Sequence, residues 1–238
     1  MGTPSGLGDL AGSRMTLEGS AFKTGILLLL TLAGAGYTWH LFFQQQGNPG
    51  AVVPLMIGGG IVGFIVSMIC IFKPTTSPML APVYALAEGL FLGGISASIE
   101  ARYPGVALQA VMATFGTLAA LLVAYTTRMI RATENFKLGV VAATGGICLM
   151  YLGLMIMRLF GMEVGFLNNN PALSIGISVV IVIVAALNLV LDFDFIEEGA
   201  ARGAPKYMEW YAALGLMLTL VWLYIELLKL FAKLSKKD

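Results

Sequence analysis

A chain of 238 residues in which 58% of side chains are hydrophobic and only 11% are charged, with a mean hydropathy of +0.87, is not a soluble domain, whose surface usually carries about a quarter charged residues. A formal net charge of +1 offers no field for nucleic acid or a strongly acidic partner. Two cysteines, Cys70 and Cys148, both set in apolar runs, exclude a disulfide framework and a cysteine-based metal site.

Residues 1–23 read as a short polar N-terminal tail and residues 24–238 as one transmembrane domain. Each membrane-crossing helix needs roughly 20 apolar residues, because a helix rises about 1.5 Å per residue through a hydrocarbon layer about 30 Å thick. Seven segments satisfy this: 24–43, 51–72, 79–99, 107–127, 138–158, 172–193 and 208–231. The first is long enough to be an anchor rather than a cleaved leader. No Lys, Arg, Asp or Glu occurs between residues 24 and 72, which argues against a buried soluble core. Long continuous apolar runs also argue against the weak alternation of a transmembrane β-barrel. The fold class is therefore all-α, a polytopic seven-helix bundle in the lipid bilayer.

The connections are short and polar, from Gln44–Gly50 through Lys73–Pro78, Glu100–Gly105, Arg128–Lys137 and Gly161–Pro171 to Asp194–Lys206. Arg14, Lys23, Lys73, Arg128, Arg131, Lys137, Arg202 and Lys206 fall on the N-terminal side of the membrane, against Arg102 and Arg158 opposite. Such an excess of Lys and Arg marks the cytoplasmic face. Lys229, Lys233, Lys236 and Lys237 run against that count if all seven segments cross, unless one late segment is re-entrant. Trp39, Trp210, Tyr103 and Tyr207 suit the membrane interfaces. Gly59-x-x-x-Gly63 and Gly89-x-x-x-Gly93 place small residues on one helix face, where two backbones can approach.

Ionisable groups inside hydrocarbon cost at least about 2.5–3.5 kcal/mol each at mid-membrane, so they mark function or pairing. Glu88 lies mid-way along the third segment, one turn after Tyr84, a hydrogen-bonding neighbour on the same face. Asp192 follows an uncharged run from Ile177 to Leu191. Glu209 opens the seventh segment, and Glu226 sits near its far end, one turn before Lys229. Segments six and seven are antiparallel neighbours, so Asp192 faces Glu209, while Glu226 lies roughly 25 Å further along at about 1.5 Å per residue. Two carboxyls sharing one proton would titrate as a unit. Fully deprotonated, Asp192 and Glu209 would suit a hard cation such as Ca2+. Asp194 is a second candidate for the role of Asp192, although the two point roughly 200° apart on a regular helix. His40 is the only histidine, and no phosphate loop, nucleophile elbow or dinucleotide fingerprint is present. Neither an enzyme nor a resident cofactor is expected.

The stretch Ser77-Pro78-Met79-Leu80-Ala81-Pro82-Val83-Tyr84-Ala85-Leu86-Ala87-Glu88-Gly89, followed by Leu92-Gly93-Gly94-Ile95-Ser96, resembles the third-helix signature of the Bax inhibitor (transmembrane Bax inhibitor motif) family in its bacterial branch. Asp192 with Ile196, and Leu223-Tyr224-Ile225-Glu226, are similar to its sixth- and last-helix patterns. The resemblance implies six helices around a central C-terminal helix, in a bacterial cytoplasmic membrane. It also implies a pH-sensitive calcium leak whose sensor is a carboxylate pair on the last two helices. The last-helix carboxylate here is Glu226 rather than an aspartate, which leaves Glu209 and Glu226 as alternative partners for Asp192. Relatives also point to a second class, a non-conducting membrane protein that modulates a quality-control protease. A proton-coupled transporter of a small solute ranks third. Oligomeric state is not legible.

Overall fold

A computed structural model describes residues 14–161 and 171–236 of the chain. The tail before Arg14, most of the Gly161–Pro171 connection and Lys237 lie outside the described residues. Within them are seven long helices: α1 (Leu17–Gln44), α2 (Pro49–Phe72), α3 (Ser77–Arg102), α4 (Val106–Thr126), α5 (Glu134–Leu159), α6 (Pro171–Ala201) and α7 (Met208–Ser235). All seven are long and apolar enough to cross a membrane. No strand occurs among the described residues, only an isolated antiparallel bridge between Arg14 and Pro205.

Helix ends follow local chemistry rather than the edges of the apolar runs. Thr16 caps α1 by accepting a hydrogen bond from the Gly19 amide (3.0 Å), so the helix starts at Leu17 and absorbs the last residues of the expected tail. Asn48 caps α2 in the same way (2.9 Å to the Gly50 amide), with Pro49 at the first helical position. The largest departure is at α6, which continues to Ala201, eight residues past the expected span. Hydrophobicity measures contact with lipid, whereas a helix stops where its carbonyls find other partners. Here Gly203 takes φ of +67°. Its amide donates to Ala200 (3.1 Å) while that of Ala204 donates to Gly199 (2.9 Å), the paired bonds of a Schellman turn.

Contacts divide the chain into two compact units. The first comprises Met1–Arg102 with Asp192–Leu218, the second Tyr103–Leu191 with Thr219–Asp238. In the first unit, α1 and α2 both pack on α3. The buried stripe of α1 is Ser20, Thr24, Leu27, Thr31, Gly34, Thr38 and Phe42, three or four residues apart and mostly small or hydroxylated. Its leucines Leu29 and Leu32 are exposed instead. This suits lipid, which is as apolar as leucine, so helices associate through close packing and hydrogen bonds. Thr31 Oγ1 donates to the Ala85 carbonyl of α3 (3.1 Å). The two glycine pairs serve different interfaces: Gly89 and Gly93 of α3 press against Thr31 and Ala35 of α1, and Gly59 and Gly63 of α2 press against Ala87 and Glu88 of α3. A Cβ at any of the four would intrude on a neighbouring main chain or side chain.

In the second unit, Asn188 of α6 donates to Thr144 Oγ1 of α5 (2.8 Å). Helix α5 buries only Val140. Helix α7, which passes from the first unit to the second after Leu218, carries a dense series of buried residues from Glu209 to Leu230.

Candidate functional site

The first unit holds a carboxylate with no exposure to solvent, Glu209, in the first turn of α7. Its Oε1 accepts hydrogen bonds from both the amide and the hydroxyl of Thr16, each 2.9 Å, and lies 3.0 Å from Lys206 Nζ. Lys23 Nζ is ion-paired with Oε2 and also sits 5.6 Å from the ring centre of Trp210, within cation–π range. Two ammonium groups and two neutral donors therefore surround one buried charge, which is how such a charge survives out of water.

The partners that the structure gives Glu209 are thus Lys23, Lys206 and Thr16 rather than a neighbouring carboxyl. The facing residue expected for Asp192 is also shifted. Asp192 Oδ1 lies 3.8 Å from the place where a Cβ on Gly215 would be, six residues, or about 9 Å of helix rise, beyond Glu209. Asp192 Oδ2 is shielded from solvent. Asp194, two residues further on α6, is half-buried. Among the described residues, no group of three or more His, Cys, Asp and Glu side chains could hold a metal ion.

Glu88 is buried on α3, and its Oε2 lies 2.8 Å from the Cβ position of Gly63 on α2, with the Tyr84 ring beside the same glycine. Its carboxyl thus faces protein. Among the described residues no hydrogen bond joins it to Tyr84, the partner that their one-turn spacing suggested; both side chains lie against Gly63 of α2.

Glu226 lies in the second unit, 2% exposed. Its Oε1 accepts from Tyr151 Oη of α5 (2.9 Å) and from Lys229 Nζ (2.9 Å), and Lys229 stands 5.4 Å from the Tyr151 ring centre. One turn on, Lys233 Nζ donates to Ser178 Oγ (2.7 Å) and to the Ser174 carbonyl (3.3 Å) on α6.

Sequence reasoning missed Thr16, Lys23 and Tyr151 as partners of the acidic groups, and Trp210 as the ring beside Lys23. The i,i+3 spacing of Lys206 and Glu209 was a usable signal. Thr16 and Lys23 come from the start of α1 and Tyr151 from α5, and these leave no local trace. Comparison with protein-family models matches residues 4–236 to a family described as Bax inhibitor 1 like. No curated protein matches the chain.

Proposed function

The chain belongs to the Bax inhibitor 1 like family, and from that premise we propose that it is a pH-sensitive leak for Ca2+ and similar hard cations, controlled by carboxylates within the membrane. The carrying observation is Asp192. It is an acidic side chain in the 31-residue helix α6, after an uncharged stretch from Pro171 to Leu191, and its Oδ1 approaches α7 at Gly215. An ionisable group in a membrane-crossing helix is costly and marks function or pairing. In this reading a deprotonated Asp192 offers carboxylate oxygens to a hard cation entering from water. Glu209 plays a different part in this reading. Its charge is already balanced by Lys23 and Lys206, so it anchors the helix ends while Asp192 responds to pH. The membrane is proposed to be a bacterial cytoplasmic membrane, with the N-terminus on the cytoplasmic face.

Liposomes loaded with a Ca2+ indicator test the assignment of roles. Asp192→Asn is expected to flatten the pH dependence of Ca2+ entry, whereas Glu226→Gln keeps it. If Asp192→Asn keeps the full pH dependence of the parent, Asp192 is not the sensor.

One observation favours a second reading, a membrane protein that binds a partner such as a quality-control protease without conducting. Gly139, Gly146 and Gly153 of α5 are seven residues apart, and among the described residues nothing lies within 4 Å of a Cβ at any of them. A small-residue face of this kind accepts another transmembrane helix. A protease that co-purifies with the parent and is lost with Gly146→Leu, in a protein that carries no Ca2+, would favour it.

A further inference from the structure

The segment that leads into α1 is docked on the turn between α6 and α7. Arg14 and Pro205 are directly opposed in an antiparallel bridge, and the Met15 amide donates to the Ala204 carbonyl (2.7 Å). The Met15 side chain is 3% exposed, with its sulfur 2.9 Å from the Cβ position of Gly199. Arg14 Cδ lies 3.4 Å from that of Gly203. Both glycines of the Schellman turn are thus the surface on which the segment rests. The turn is shaped as a receptor for it.

A short two-residue dock of this kind would open readily on its own. What holds it is Glu209. Thr16 has two roles at once: its hydroxyl oxygen accepts from the Gly19 amide to start α1, and its amide and hydroxyl protons go to Glu209. One turn further along α1, Gly19 leaves the space that the Glu209 carboxylate occupies; a Cβ there would collide with all three atoms of the carboxylate group. Lys23, on the next turn, closes the ion pair. Thr16, Gly19 and Lys23 lie on one face of the helix start, at the i, i+3 and i+7 spacing that a helix brings together.

We propose that residues 14–23 are a strap, locked by Glu209, that fixes the spacing of α6 and α7 and so holds the pathway at Asp192 closed. Asp192 lies seven residues before Gly199 on α6, about 10 Å along the helix, and Glu209 is on the same stretch of α7 as Gly215, so strap and sensor act on one helix pair. The regulatory half of this proposal rests on the leak reading above; the strap itself does not.

The test uses a full-length chain with Cys70→Ala and Cys148→Ala, a reporter at Ser20→Cys, and a Ca2+ flux readout on the same preparations. Ser20 has no exposure while the strap is docked. Glu209→Gln and Gly19→Leu are each expected to raise thiol labelling at the reporter about tenfold or more, the population change for losing one buried hydrogen bond to a charged group. Both should also raise Ca2+ entry. Lys23→Met serves as a third variant, and an unchanged size-exclusion profile shows that each one folds. Oxidative closure of Arg14→Cys with Pro205→Cys should return labelling and flux in Glu209→Gln to the parent level, and reductant should release both. Labelling that stays at the parent level in all folded variants overturns the strap. Raised labelling with unchanged flux in a conducting parent overturns its control of the pathway. No Ca2+ entry in the parent or in any released variant removes the leak reading and the control with it, while labelling still decides the strap.

Discussion

The backbone amide and the side-chain hydroxyl of Thr16 both donate to the same oxygen of Glu209, at 2.9 Å each, across 193 positions of sequence. With Lys23 and Lys206 on the same carboxylate, this one group ties the start of α1 to the start of α7. The energetics of that tie separate its two lysines. Lys23 is 13% exposed and Lys206 is 47% exposed. Lys23→Met should therefore cost about 3 kcal/mol, as expected for breaking a buried pair. Lys206→Met should cost under about 1 kcal/mol, as for a pair that water already screens. Denaturation in mixed micelles measures both, and equal losses would contradict the placement of Lys23 as the inner partner.

The same tie was the part of the site least legible in the sequence. Seven helices were readable because each one must present about 20 apolar residues to lipid, and the glycine pairs were readable because close approach in lipid needs small residues. Even there the sequence could not say that Gly89 of α3 faces α1 while Gly59 of α2 faces α3. The end of α6 differs from the expected span for a physical reason: Asp194, Glu197 and Glu198 end the apolar run, yet the helix continues to Ala201 and turns at Gly203. Glu209 was identified as important, but its partners were not. The choice between a carboxyl on α6 and an ammonium on α1 depends on a contact far apart in sequence, and local spacing says nothing about it.

Close packing at α3 gives an asymmetric prediction about glycines. Gly89→Val should destabilise by about 1–3 kcal/mol or more, because the added atoms meet the main chain of Thr31. Gly146→Val on α5 meets nothing within 4 Å among the described residues and should leave the melting temperature of the purified protein unchanged. A drop in melting temperature for Gly146→Val as large as that for Gly89→Val would contradict this assignment of the two glycines.

Tyr151 and Lys229 share one oxygen of Glu226, so their substitutions should not add. Tyr151→Phe removes one hydrogen bond and should cost about 0.6–1 kcal/mol. In a Glu226→Gln background the cost of Tyr151→Phe should shrink, because the charge that strengthens the bond is gone. A double-mutant cycle by chemical denaturation reads this coupling; full additivity would place Tyr151 outside the Glu226 network.

The bridge between Arg14 and Pro205 puts the N-terminal segment and the α6–α7 turn on one side of the membrane. Introduced cysteines at Arg14 and Gly203 should react with a membrane-impermeant thiol reagent from the same face of intact vesicles. One at Lys236 should react from the other, since α7 is long enough to cross. Labelling of Gly203→Cys and Lys236→Cys from the same face would make α7 re-entrant.

The most direct test of the proposed leak is Ca2+ entry into liposomes containing the purified parent chain, followed across a pH series beside empty liposomes. Entry well above the empty control, changing with pH in the parent and independent of pH in Asp192→Asn, is the predicted result. Entry by the parent that equals the empty control at every pH would contradict the account.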